Sequence, residues 1–236
     1  MSKTDIRFIR ERFDKGLKFY GKKGIAPQRS TLRAVVPFTA NNGIMTFDLK
    51  KDASLKHAVE QLLKRNDLFV ARAIGLGIMV ELDAAKGTAP IYSYPVVSGT
   101  ALPTGLKGLT DTKAYAIYNG KLSMKTGSTV NFSGFPTAPF LNVPRVQPTT
   151  YYNGAAVASL GIAPEFKQEN ILVELAEEIV LAGTKDQPIT LEFPSCTIAA
   201  EANCTAYAVL VVEGWLYEGG TTEDNHSSDN PYNDCF

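Results

Sequence analysis

Residues 67–83 read DLFVARAIGLGIMVELD. The centre of this stretch is apolar at odd and even positions alike. A strand with that composition has to be covered on both faces, by a second layer of its own chain or by a neighbouring copy. The Gly75-Leu76-Gly77 piece does not make a phosphate loop, because no third glycine and no Lys-Ser/Thr follow it. It is expected instead to mark a bulge or a close approach of backbone.

Other segments carry the alternation of half-buried strands. TLRAVVPF (31–38) reads as a strand. GIMTFDLK (43–50) places Met45, Phe47 and Leu49 on one face and Thr46, Asp48 and Lys50 on the other, after the turn residues TANNG. DASLKHAVEQLLKR (52–65) predicts one internal helix, capped by Asp52, with Leu55, Val59 and Leu62 on one side. PIYSYPVV (90–97) is bounded by proline and reads as an edge strand or loop.

AYAIYNGKLSMKTG (114–127) predicts a hairpin turning at Asn119-Gly120, with STVNFSG as the next strand. FPTAPFLNVPRVQP (135–148) holds four prolines and is expected to cross a surface rather than enter a sheet. ILVELAEEIVLAG (171–183) and QPITLEFPS (187–195) flank a polar turn, and TAYAVLVVEGWLYEGG (205–220) closes the pattern. Nine or ten short strands with one internal helix predict a mainly β protein, an antiparallel β-sandwich of jelly-roll type.

Composition narrows the chemistry. No run of about 18 apolar residues is present, so no helix is expected to span a membrane. The polar start lacks the apolar core of a signal peptide, which predicts synthesis in a cytoplasm without export by that route. Cys196, Cys204 and Cys235 do not form a disulfide framework. They read as thiols, with a Cys196–Cys204 bridge as the alternative. There is no CxxC, and the acids of the C-terminal stretch lack calcium-loop spacing, so no metal site and no cofactor are expected. The two histidines, His57 in the expected surface helix and His226 in a polar tail, offer no catalytic constellation.

Charge is unevenly placed. The chain carries 24 basic and 24 acidic side chains, yet residues 1–24, MSKTDIRFIRERFDKGLKFYGKKG, hold eight basic residues and three acids, a net +5. Ile6, Ile9, Phe13, Leu17 and Tyr20 fall at helical spacing, which predicts an amphipathic basic arm ending at Gly21 and Gly24. From Glu218 to the last residue there are five acids and no Lys or Arg. The expected organisation is therefore a basic arm over 1–24, a sandwich over 25–217 and an acidic flexible tail over 218–236.

The basic start, the segment RNDLFVARAIGLGIMVEL, the hairpin AYAIYNGKLSMKTG, the crossing FPTAPFLNVPRVQP and the closing strand together give a resemblance. The sequence resembles the jelly-roll capsid proteins of small viruses and tailless bacteriophages. The resemblance implies a virion protein that self-assembles into a shell around a genome, in some families with an internal membrane. The chain looks short for a double jelly roll, so one elaborated sandwich is expected, with a compact double roll as the alternative.

On this reading the arm faces an anionic interior and the tail faces outward. Lys3, Arg7, Arg10, Arg12, Lys15, Lys18, Lys22 and Lys23 would then contact phosphates or lipid headgroups. The partners would be other copies of the chain, other virion proteins, and nucleic acid or a membrane. The alternative is a lectin-like, spike or accessory binding module, with Tyr92, Tyr94, Tyr151 and Tyr152 available for stacking on sugars. An enzyme would have to draw on Glu177-Glu178 or on Glu174 and Glu192 facing each other across a hairpin. Glutamates on a solvated sheet face account for these residues better, and no catalytic residue is assigned.

Overall fold

The computed structural model describes residues 26–38, 42–50, 57–93, 112–126, 129–141 and 171–220. Nine strands are present among the described residues: β1 (Gln28–Pro37), β2 (Asn42–Phe47), β3 (Leu68–Leu82), β4 (Ile91–Tyr92), β5 (Lys121–Thr126), β6 (Thr129–Pro136), β7 (Leu172–Ala182), β8 (Ile189–Cys196) and β9 (Cys204–Tyr217). The protein is mainly β, two antiparallel sheets stacked as a sandwich. Four pairings are nested in the chain: β1 with β9, β2 with β8, β3 with β7 and β5 with β6. Two more, β3 with β9 and β5 with β8, gather this ribbon into two sheets. One sheet runs β1-β9-β3, with β7 and β4 sharing the far side of β3; the other runs β2-β8-β5-β6.

The sequence pattern explains the layers. Met45, Phe47 and Leu49 point inward as their alternation requires, and Ile44 on the opposite face is 65% exposed. They meet Phe69, Leu76, Ile78, Leu210 and Leu191 in the core between the sheets. The expectation for 67–83 also holds, since β3 is buried on both faces. Its second face joins Val35, Met79, Ile91, Ile171, Tyr207, Val209 and Val211 in a separate apolar cluster. The glycine reading holds at Gly77, where a Cβ would lie 2.5 Å from Ile91 Cγ2 and 2.8 Å from the Tyr92 carbonyl. The ladder irregularity itself falls elsewhere, between Ala71 and Ala73.

The internal helix expected over 52–65 is not formed by residues 57–65, and no α-helix occurs among the described residues. Val59 packs on the outer cluster, whereas Leu62 packs in the inter-sheet core. One helical stripe cannot serve two cores. The chain instead runs as a strap along the free edge of β1. Gln61 exchanges backbone hydrogen bonds with Arg33, at 3.0 and 2.8 Å, and the Leu63 amide donates to Leu49 O. The Glu60 carboxylate accepts from the Val35 amide. An open strand edge is a template for unwanted pairing, and the strap covers it.

The expected hairpin at Asn119-Gly120 is likewise corrected. Thr112–Asn119 is a 3-10 helix, and the hairpin lies one element later, between β5 and β6. Ile117 and Tyr118 are both buried although adjacent, which alternation forbids and a tight helical turn permits. Gly120 is needed for close approach, because a Cβ there would sit 2.9 Å from that of Phe193. Thr137 clasps the turn. Its hydroxyl accepts from the Gly120 amide at 2.9 Å and donates to Ile117 O at 2.7 Å. Thr137→Val is expected to cost about 1–2 kcal/mol in urea denaturation, because the buried Ile117 carbonyl and the partly buried Gly120 amide both lose their hydroxyl partner.

Of the Pro-rich crossing, Phe135 and Pro136 end β6 and Ala138–Phe140 is a short 3-10 turn. Residues 142–148 lie outside the described residues, as do the segment expected to form the N-terminal amphipathic helix and the acidic tail beyond Gly220.

Candidate functional site

A buried polar cluster sits on the outer face of the first sheet. Glu81 follows Gly77 and Met79 on that face of β3, a lone acid in an apolar register. His57 opens the strap. The two side chains are 1% and 5% exposed, and His57 Nε2 lies 2.7 Å from Glu81 Oε2. The Val59 amide donates to His57 Nδ1 at 3.3 Å, which makes Nδ1 the acceptor and puts the ring proton on Nε2, facing the carboxylate. The other Glu81 oxygen accepts from the Gly87 amide at 2.9 Å. Tyr207 packs edge-on against the imidazole, with ring centroids 4.9 Å apart.

This arrangement joins three parts of the fold: the strap, β3 and the turn after it. Both ring nitrogens are committed, one to a carboxylate and one to backbone. No nitrogen is left to take a proton from a substrate, so the cluster fits a latch better than an acid–base pair. Sequence reading placed His57 in a surface helix and missed the pair. The available signal was Glu81 itself, since an acid in register with Gly77 and Met79 on a buried strand face needs a buried partner.

The glutamates considered for catalysis do not converge. β7 and β8 belong to different sheets, so Glu174 and Glu192 do not face each other across a hairpin. Glu174 lies 2.6 Å from Arg72, and Glu192 3.1 Å from Lys121. Glu177 and Glu178 fall in an exposed interruption of β7, between the pairings Ala73↔Glu174 and Ala71↔Ile179. A charged break of this kind blunts an edge strand. No group of three or more His, Cys, Asp or Glu side chains able to hold a metal occurs among the described residues. Cys196 and Cys204 are thiols at the ends of strands in different sheets.

Of the tyrosines that the binding-module alternative would use for stacking, Tyr92 is buried in β4; Tyr94, Tyr151 and Tyr152 lie outside the described residues. So do Lys3, Arg7, Arg10, Arg12, Lys15, Lys18, Lys22 and Lys23. The roots of the two charged segments are described, and they are neighbours: Gln28 at the start of β1 is in register with Leu216 near the end of β9. Just inside them, Arg29 Nη2 lies 2.6 Å from Glu213 Oε1. Gln28 and Leu216 therefore lie at the same end of the β1–β9 pair.

Two phenols carry a pH prediction. Burial raises the Tyr118 hydroxyl well above its usual value, with Tyr115 adding to the rise, and Tyr118 Oη has no hydrogen-bond partner. Burial also raises Tyr217, with Glu178 adding to it. The folded state holds both protons more tightly than the unfolded state does. Stability is therefore complete below the unfolded value of about 10 and falls as pH rises above it. Thermal melts from neutral to strongly alkaline pH should show this fall, and it should be shallower in Tyr118→Phe. Parallel curves for the two proteins would refute the assignment.

No family model, no curated protein and no solved structure matches the chain.

Proposed function

We propose that the chain is a virion capsid subunit, a single jelly roll that self-assembles into a shell, with its basic N-terminal segment binding a polyanion inside. The observation that carries the reading is the strand order. Four nested antiparallel pairs rolled into β1-β9-β3-β7 and β2-β8-β5-β6 are what an eight-stranded roll of two Greek keys requires. β4 is then an addition beside β7. Shell subunits and lectins share that architecture, so the fold alone does not choose between them. The charge of residues 1–24 favours the shell, and the burial of Tyr92 removes one aromatic from the lectin-like alternative.

Such a subunit would be made in a host cytoplasm and reside in the virion, with its own copies and other virion proteins as partners. Light scattering coupled to size-exclusion chromatography, followed by electron microscopy, tests this. Closed particles or large symmetric oligomers are expected. A monomer at every concentration and salt would overturn the reading. Deleting residues 1–24 should abolish binding to single-stranded oligonucleotide. In the intact chain log affinity should fall with log salt by about 0.7 per phosphate contact. An affinity indifferent to salt would remove the arm's assigned role.

A further inference from the structure

The sandwich has two unlike sides. β1 touches β2 along one of them, and the turn after β6 packs on β7 along the other. On the first side, Leu32 and Ala34 point into the core, which puts Arg33 on the outer face of the first sheet. Its guanidinium is half-buried, and its Nε has no hydrogen-bond partner. Burial lowers its pKa from the usual arginine value, and no carboxylate offsets the shift. A cation drawn part-way out of water without a counter-charge is a cost that an acid from outside would offset. On the second side, Glu177 and Glu178 stand in the exposed interruption of β7, and Glu177 has no cationic partner among the described residues.

The ladders fix the heights of these charges. The interruption lies between the rows Ala71–Gly214–Ser30 and Ala73–Glu213–Thr31, so the two acids come level with β1 between Arg29 and Arg33. The second sheet repeats the match with the signs reversed. Phe47, Ile189 and Met124 form one row. The exposed Asp48 and Lys125 each lie one residue beyond it, toward the two opposite sides.

We propose that the β1–β2 side binds the β7 side of a second copy of the chain, with Glu177 and Glu178 of one copy set against Arg29 and Arg33 of the next, and Lys125 against Asp48. The contact rests on the self-association proposed above and says where it occurs. In the free chain Arg29 has Glu213 as its partner, so Arg33 is the cation still to be matched. A free anion such as phosphate would satisfy Arg33, but it would leave the acids of β7 and the reversed pair of the second sheet unmatched. A second copy supplies all of them. The break in β7 keeps this edge from pairing as a strand, so side chains carry the contact. The two sides differ, so the contact is head-to-tail, and repetition gives rings or an extended layer.

Charge reversal in the full-length chain tests this, read by sedimentation velocity with thermal melts to confirm folding. E177K/E178K makes both sides of the first sheet basic, and R33E makes both acidic. Each variant alone should associate at least about tenfold more weakly than the intact chain, because like charges then face each other. An equal mixture of the two should recover the association of the intact chain, since every basic side then finds an acidic one. Should R33E melt early, R29E takes its place, at a side chain 67% exposed. Undiminished association of either folded variant, or no recovery on mixing, would overturn the contact and leave self-association standing. An intact chain that stays monomeric at every concentration would overturn the self-association reading and the contact with it.

Discussion

Glu81→Ala is expected to lose about 2–4 kcal/mol of folding stability, the cost of leaving a buried donor without its acceptor together with the lost packing of a buried side chain. The truncation strands the buried His57 Nε2–H donor and removes the acceptor of the partly buried Gly87 amide. It also frees the strap at its first residue, so the cover over β1 at Arg33 and Val35 loosens. The Tm should fall by roughly 2–4 °C per kcal/mol for a chain of this size. His57→Leu should be costly for the reciprocal reason, because the Glu81 carboxylate is left buried with only the Gly87 amide.

The double variant H57L/E81L separates a latch from a general packing defect. Replacing both members of a buried pair with apolar groups of similar volume is often close to neutral. The double variant should therefore be more stable than either single one, measured by urea denaturation. Strict additivity of the two losses would show that the contact between the side chains contributes nothing. A loss below about 1 kcal/mol in Glu81→Ala would refute the latch altogether.

The strands were legible because burial in a sandwich is written at period two. Met45, Phe47 and Leu49 alternate cleanly, and β3 advertises its two covered faces through Val70, Ala71, Ile78 and Met79. The errors share one cause, which is packing that local pattern does not carry. Leu55, Val59 and Leu62 have helical spacing, yet Val59 and Leu62 serve different cores and Gln61 finds a strand edge to pair with. Asn119-Gly120 has the composition of a hairpin turn, yet Gly120 is there to let the chain lie against β8. Glu174 and Glu192 flank a polar turn, but that turn carries the chain from one sheet to the other. The His57–Glu81 pair spans 24 positions and two elements, so no window of sequence contains it. The side-by-side roots of the charged segments are equally non-local, because they follow from pairing the first strand with the last.

Leu76→Ala and Met79→Ala are expected to destabilise the chain by similar amounts, about 3 kcal/mol each, within the range for deleting a large buried side chain. The two residues lie on opposite faces of β3, and both are fully buried. Leu76 belongs to the core between the sheets, and Met79 to the outer cluster with Val209 and Val211. In a sandwich whose outer face is solvated, the second substitution would cost under about 0.5 kcal/mol, as surface changes generally do. Near equality in urea denaturation would establish that the first sheet is the middle layer of the molecule. A loss confined to Leu76→Ala would instead mean that the outer face around Met79 opens readily, and that the strap and the β4 region give it little protection. The distinction bears on assembly. A first sheet that is already a middle layer leaves its outer apolar surface unavailable to neighbours, so contacts between subunits would have to use other parts of the surface, such as the solvated face of the second sheet, where Ile44 and Val130 are exposed. A first sheet that opens readily would instead offer Met79, Val209 and Val211 as a contact surface of their own.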